Sequence, residues 1–526
     1  MRKIYSGGTI LTMEQELYAE ALLTENGRIL KTGTKKELTG IAPDAELCSL
    51  DGAALLPGFI DPHSHFSQMA SGLLQVSLDG ASDLTEIRNR IEAFIRNSAK
   101  PKGAWILAGD YDHNLLPEQK HLSLAELDTL CPGYPLALQH KSGHMGLFNS
   151  LAMRNLGITD DTPSPAGGMI GHDNGHLSGY MEENAYFQYI KKVPMPAMEE
   201  LKNAYLRAQG VYASYGITTI QEGMLVSQML PLYQMLFSEE VLKLDLAAYP
   251  DRETFDSAYQ QFPEAADQYD RHIRLGGIKI FLDGSPQGRT AWMRTPYSGS
   301  DGFCGYGTMK DEEVREAFEK AAENEVQLLA HCNGDAAAAQ LIRCLAESEK
   351  KYPELKRLRP VMIHAQLLGT DQIPKAASLG MLASFFVAHV YHWGDIHIRN
   401  FGFERASKIS PAASALKMGL PFTFHQDSPV IPPDMLETVW CAVNRRTKSG
   451  IVLGEEERIS ALDALKAVTI QAAYQYHEEN EKGSLRAGKK ADFVILNQDP
   501  LKIDASELRH LKVLETVKDG VTVFRA

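Results

Sequence analysis

Leu56-Pro57-Gly58-Phe59-Ile60-Asp61-Pro62-His63-Ser64-His65 is an apolar run that closes on two histidines. Residues i and i+2 of a strand point to the same side, so His63 and His65 can face one ion. Neutral imidazole nitrogens are donors that zinc prefers. A lone H-x-H is a weak pattern. An apolar strand that ends in P-G-x-I-D-x-H-x-H is much stronger, and residues 55–65 are read as the first strand of a parallel sheet.

Seven more apolar stretches follow at 216–222, 242–249, 275–283, 326–331, 359–364, 381–389 and 421–427. Helical stretches such as 310–323, 334–349 and 370–379 lie between them. Alternation of this kind is the pattern of βαβ units, and eight strands predict an α/β fold of the (β/α)8, TIM-like barrel type. The loops after barrel strands form the active face, so polar residues at the strand ends are the candidates for chemistry. His331 and His364 end the fifth and sixth strands. Asp427 ends the eighth, where a carboxylate can both ligate a metal and take a proton from water. His389 ends the seventh and is a weaker candidate.

The two ends of the chain have a different character. Residues 1–56 read as short strands, with Asn26-Gly27 as a two-residue hairpin turn. Residues 482–526 repeat that texture, with a hairpin at Lys518-Asp519-Gly520. The expected organisation is a composite β-sandwich domain from 1–56 and 482–526, and a barrel over 57–481. About 150 residues separate the first strand from the second, far more than a βα connection needs. They predict an inserted subdomain at about 75–200, with helices at 83–97 and 123–130, strands at 105–109 and 134–140, and a Gly/His-rich loop at 166–179.

The formal net charge of -14 argues against nucleic acid or an anionic membrane as the partner. No run approaches the ~20 apolar residues of a membrane span, and Ser6-Gly7-Gly8 interrupts any leader-like apolar start. None of the six cysteines forms a C-x-x-C pair, which removes zinc-ribbon and thioredoxin readings. A cytoplasmic protein with reduced thiols, a small-molecule substrate and a homo-oligomeric (dimeric) state is the expectation.

H-x-H, two later histidines and a terminal aspartate together resemble the amidohydrolase superfamily. The nearer resemblance is to the branch that includes N-substituted formamide deformylases. It rests on Gly277-Ile278-Lys279-Ile280-Phe281-Leu282-Asp283-Gly284-Ser285, on Gly288-Arg289-Thr290-Ala291, on His331-Cys332-Asn333-Gly334-Asp335-Ala336 and on His364-Ala365-Gln366. Near the end, Gly483-Ser484-Leu485-Arg486-Ala487-Gly488-Lys489-Lys490-Ala491-Asp492 resembles a run common in the superfamily. The likeness spans essentially the whole chain.

The resemblance implies roles. His63 and His65 would hold the more buried metal, His331 and His364 the second. Asp427 would bind the first and act as general base, and a metal, helped by His331 or His144, would stabilise the oxyanion. Lys279 matches the lysine that binuclear members carboxylate to bridge both ions. An ammonium repels cations, whereas a carbamate is an anion with two oxygens. The alternative is an ordinary lysine paired with Asp283 or another acid. Lys141-Ser142-Gly143-His144 with Asn149-Ser150 resembles the branch's D-G-H…N-S block, with Lys141 in place of the acid. Gly179-Tyr180-Met181-Glu182-Glu183 resembles its G-x-L-x-E block. His144, Glu183, Arg289 and His389 are therefore the candidate substrate contacts, Arg289 as a bidentate donor to an oxygen. Gln426 departs from the small residue usual before the final aspartate and is expected to crowd the site. His113, His172, His176, His392, His397 and His425 carry no clear spacing and read as solvated or structural.

The implied activity is hydrolysis of an amide-like C–N bond with one or two divalent ions, zinc first among them. Two alternatives remain at this stage: a mononuclear deaminase on the same barrel, and a non-catalytic scaffold.

Overall fold

The computed structural model describes residues 1–526 except 142, 143, 195 and 267. The chain forms two compact units, one of Met1–Ser67 with Ala208–Ala526 and one of Gln68–Arg207. Among the described residues, no helix is long and apolar enough to cross a membrane. All six cysteines are free.

In the larger unit, strands from both ends of the chain share one hydrogen-bonded sheet of eight strands. The join is Phe493–Leu496 against Ala54–Pro57, antiparallel, with Phe493 opposite Pro57. Ala54–Pro57 in turn pairs with Arg2–Leu11 in parallel. Asn26 and Gly27 both take positive φ (48° and 80°), as a tight hairpin requires. Asp519 and Gly520 do the same at the second hairpin (50° and 75°). The strands pair as one continuous sheet, and Tyr5, Ile10, Leu22, Leu55, Phe493 and Val517 pack together in its core.

The stretch 55–65, read as one strand, is two. Ala54–Pro57 belongs to the terminal sheet, while Phe59–Ile60 starts the parallel set. Gly58 makes the break: a Cβ there would sit 2.6 Å from the Thr218 side chain. The parallel strands then run in chain order as two arcs. Phe59–Ile60, Ile217–Leu225, Asp245–Pro250 and Ile273–Leu275 make the first. Gly277–Phe281, Gln327–Cys332, Val361–His364, Leu382–Phe385 and Phe422–Phe424 make the second. The fourth predicted strand is split at Gly276-Gly277, where a Cβ on Gly277 would meet the Gln327 carbonyl at 1.9 Å. Among the described residues no closed ring of hydrogen bonds forms, but an isolated parallel bridge between Asp251 and Lys279 links the two arcs. Their side chains nonetheless share one core, in which Ile60, Ala247 and Tyr249 meet Leu329, Val361, Ile363 and Leu382.

The smaller unit carries a six-stranded mixed sheet in the order Gly168–Asp173, His176–Glu183, Met145–Phe148, Leu136–His140, Ile106–Tyr111, Val76–Ser77. Its helix Leu84–Asn97 starts at Asp83, whose carboxylate accepts from Glu86 N at 2.8 Å. Helix Leu124–Leu130 starts with a Ser123/Glu126 capping box. The segment 166–179, expected to be a loop, contains most of a hairpin. Asn174 and Gly175 take φ of 50° and 84° and close it between Asp173 and His176.

Candidate metal centre

The strand ends of the larger unit converge on a buried imidazole–carboxylate cluster. His63, the end of the first strand region, is 1% exposed. Its Nε2 lies 3.4 Å from Asp427 Oδ1. His65 Nε2 is also 3.4 Å from that oxygen. Asp427 follows the last strand with φ at 56° and His364 ends the sixth with φ at 70°, backbone geometry that turns both side chains off the strand course. His364 Nε2 is 3.1 Å from His331 Nδ1. One donor atom from each of His63, His364 and Asp427 lies within 4.8 Å of the others. Lys279 Nζ, 3.3 Å from His63 Nε2, completes the group.

The electrostatics suit a cation. Burial drives His63 and His364 well below the usual imidazole range and His331 down to about 4, so all three rings are neutral near pH 7. Burial would push the Asp427 carboxyl up, but the adjacent His65 imidazole, with His425 and Lys279, outweighs it and leaves it below its ordinary value. Burial lowers the Lys279 amine to about 7 against the opposing pull of Asp427. Asp283, the acid considered as its partner, is otherwise engaged. It accepts the backbone amides of Trp292, Asn333 and Gly334 at 2.9, 2.9 and 2.7 Å. Among the described residues, no carboxylate lies within ion-pair distance of Lys279.

The donor set fits a divalent ion. Asp427 Oδ1 is buried and accepts no hydrogen bond, an unfavourable state for a carboxylate oxygen unless a cation takes it. Two nitrogens bound to one zinc at about 2.0–2.1 Å lie about 3.3 Å apart. The 3.1 Å between His331 and His364 is close to that spacing.

Several orienting groups escaped the sequence reading. Gln221 Oε1 accepts from His63 Nδ1 at 2.6 Å, while its Nε2 donates to Pro62 O and Tyr476 OH, both at 2.8 Å. His425 is fully buried rather than solvated, between His364 Nδ1 (3.0 Å) and Ser384 Oγ (2.8 Å). Glu222 holds Ser67 N and Tyr233 OH at 2.8 Å with one oxygen and presents the other 3.9 Å from His65 Nδ1. Gln221 and Glu222 do end an apolar strand in the sequence, the same signal that picked out His331. Partners of this kind fix the tautomer and direction of a metal-binding ring. Gln221→Ala is expected to weaken metal affinity about 10–100-fold, measurable by competition with a fluorescent chelator.

Three sequence-derived candidates have partners of their own. His389 does not end a strand: the seventh strand stops at Phe385 and His389 opens the helix His389–Phe401. It stacks on His397 with Nδ1 and Nε2 3.0 Å apart. Arg289 Nε donates to Asn400 Oδ1 at 2.9 Å, which ties its loop to the helix His389–Phe401. Gln426 points away from the cluster and donates to Thr438 Oγ1 at 2.6 Å, so it does not crowd it. In the smaller unit, His144 and Glu183 contact one another at 3.2 Å and are both exposed. Ser142 and Gly143 of that block lie outside the described residues.

The model of the amidohydrolase family matches residues 46–524. The chain belongs to the amidohydrolase family. The buried donor cluster at its strand ends is a group of residues that could hold a metal ion. Two curated relatives are each 28% identical to this amidohydrolase. The Bacillus subtilis protein YtcJ, named as an amidohydrolase, aligns over 100% of this chain and 99% of its own. The N-substituted formamide deformylase of Arthrobacter pascens aligns over 96% and 94%. A crystal structure of an uncharacterized metal-dependent hydrolase from Pyrococcus furiosus shares the fold, with a TM-score of 0.77 at 24% identity over 95% of this chain and 100% of that one.

Proposed function

We propose that this amidohydrolase cleaves an amide-like C–N bond, with the two parallel arcs forming a (β/α)8 barrel and the cluster at its C-terminal face. The observation that carries the reading is Asp427 Oδ1: buried, without a hydrogen-bond partner, and 3.4 Å from both His63 and His65. His63, His65 and Asp427 would hold one divalent ion, His331 and His364 a second, with zinc the ion that best suits these donors. A bound ion supplies Lewis acidity and a water of lowered pKa.

The chain's own groups do the rest. Asp427, an ionised carboxylate, accepts a proton from water and returns it to the leaving nitrogen. His331 is neutral, and Asn333 Nδ2 donates to its Nε2 at 3.0 Å, which orients the ring that would hold the second ion. Lys279 is a nucleophilic amine near neutral pH because burial removes its proton. Addition of its nitrogen to CO2 forms a carbamate and releases one proton, which converts a neutral amine into an anion whose two oxygens could serve as further donors to the ions. That state favours a binuclear site over a mononuclear deaminase.

The 28% identity to a formamide deformylase across nearly the whole chain supports N-acyl or N-formyl amines, or cyclic amides, as the substrate class. The test is amine release from N-substituted formamides, N-acyl amino acids and cyclic amides. Dialysis against a chelator is expected to abolish turnover, and added Zn2+ or Co2+ to restore it. Turnover that survives complete metal removal would sink the assignment.

A further inference from the structure

The smaller unit carries a second set of converging donors. Strands Ile106–Tyr111 and Leu136–His140 run parallel with Tyr111 beside His140. Directly after Tyr111, Asp112 caps the short turn His113–Leu115. The two strand ends therefore bring Asp112, His113 and His140 together by main-chain register.

His113 Nδ1 lies 3.1 Å from His140 Nε2, and Asp112 Oδ1 lies 3.7 Å from that same nitrogen. One donor atom from each of the three is within 4.8 Å of the others. These separations bracket the ~3.3 Å expected between two donors on one zinc. A hydrogen bond accounts for only part of this arrangement. That bond joins only the two imidazoles, and a carboxylate at 3.7 Å is outside hydrogen-bond range. A cation satisfies all three donors at once. Asp112 Oδ1 also accepts from Asn114 N and Nδ2 at 3.0 and 2.9 Å, which fixes its rotamer. His121 lies against His113, the rings tilted by 30° with centroids 4.1 Å apart, and its Nδ1 is buried with no hydrogen-bond partner.

We propose that Asp112, His113 and His140 bind a divalent first-row transition-metal ion of the zinc type, with the fourth position taken by water or His121. The ion pins the 112–121 segment to the sheet of the smaller unit. This site is additional to the amidohydrolase centre and uses none of its ligands.

Metal counting tests it without reference to hydrolysis. The full-length protein is stripped by chelator and titrated with Co2+. Bound cobalt is counted by elemental analysis, and visible d–d absorption reports ligation by nitrogen and oxygen. The wild type is expected to bind one equivalent more than the His113→Gln/His140→Gln variant. That equivalent should persist in His63→Ala/His65→Ala. Asp112→Asn keeps the acceptor for Asn114 but loses the charge, and should weaken this equivalent about tenfold or more. Equal cobalt counts in the wild type and the double glutamine variant would overturn the site. So would an unchanged affinity in Asp112→Asn, which decides the matter if the double variant does not fold. A His63→Ala/His65→Ala protein that kept every equivalent would instead count against the family centre.

Discussion

Asp427→Asn is expected to leave the protein folded and metal-loaded while lowering turnover by about 10²–10⁴-fold, the range a positioned acid–base group supplies. Asparagine is the informative substitute because Asp427 has φ at 56°. Asparagine visits that region with little strain, whereas alanine adds a backbone penalty that would blur the result. The amide keeps one oxygen for a cation and loses the capacity to take a proton. The loss should therefore appear in kcat, with metal content nearly unchanged. Two measurements decide it: kcat on the best substrate of the panel, and metal per chain in the same preparation. A kcat within a few-fold of wild type would remove Asp427 as the base. A fall in kcat that simply tracks lost metal would reduce it to a ligand.

Much of this centre was legible because the chemistry sits at strand ends, where an apolar run stops on a polar residue. His63, His65, His331, His364 and Asp427 all carry that signature. So do Gln221 and Glu222, but a glutamine or glutamate after an apolar run is too common to single out without knowing what it faces. His425 was hidden by period: it lies two residues before Asp427, and only the packing against Ser384 and His364 gives it a partner. His389 was misread because an apolar run, 381–388, continues past the real strand end at Phe385 into a helix start. The hairpin at Asn174-Gly175 had its turn signal in the sequence. The Gly and His density on both sides masked the alternation that normally accompanies it. The split at Gly58 could not be read from hydrophobicity at all, since both halves are buried in different sheets.

The second large effect concerns stability rather than catalysis. Asp245, at the start of the third parallel strand, is fully buried and accepts from Lys482 Nζ at 2.6 Å, Lys490 Nζ at 3.0 Å and His272 Nδ1 at 2.8 Å, with Lys518 Nζ also at 3.0 Å. Lys482, Lys490 and Lys518 all come from the C-terminal segment that supplies the terminal sheet, so this carboxylate is where that sheet and the parallel strands are joined electrostatically. Burial alone would raise the Asp245 carboxyl. The Lys482 and Lys518 charges, the His272 hydrogen bond and Lys490 overcome that and hold it well below the usual carboxylate range. Asp245→Asn leaves buried cations short of one negative charge, a situation that costs about 3–5 kcal/mol. Glu478, Asp492 and Asp519 still pair with Lys482 and Lys518, which sets the expected loss at the lower end of that range, about 3 kcal/mol. The check is the unfolding midpoint in urea, against a surface pair such as Arg315–Glu347, whose loss should barely move it. The pH dependence has a definite sign. A carboxyl whose folded pKa is depressed contributes fully above its unfolded value of about 3.9 and loses that contribution as pH falls through the folded value. The gap between wild type and Asp245→Asn should therefore be flat from about pH 5 to 8 and close below about pH 4. A gap that instead narrowed between pH 6 and 8 would mean that a histidine or an amine, and not this carboxylate, carries the coupling.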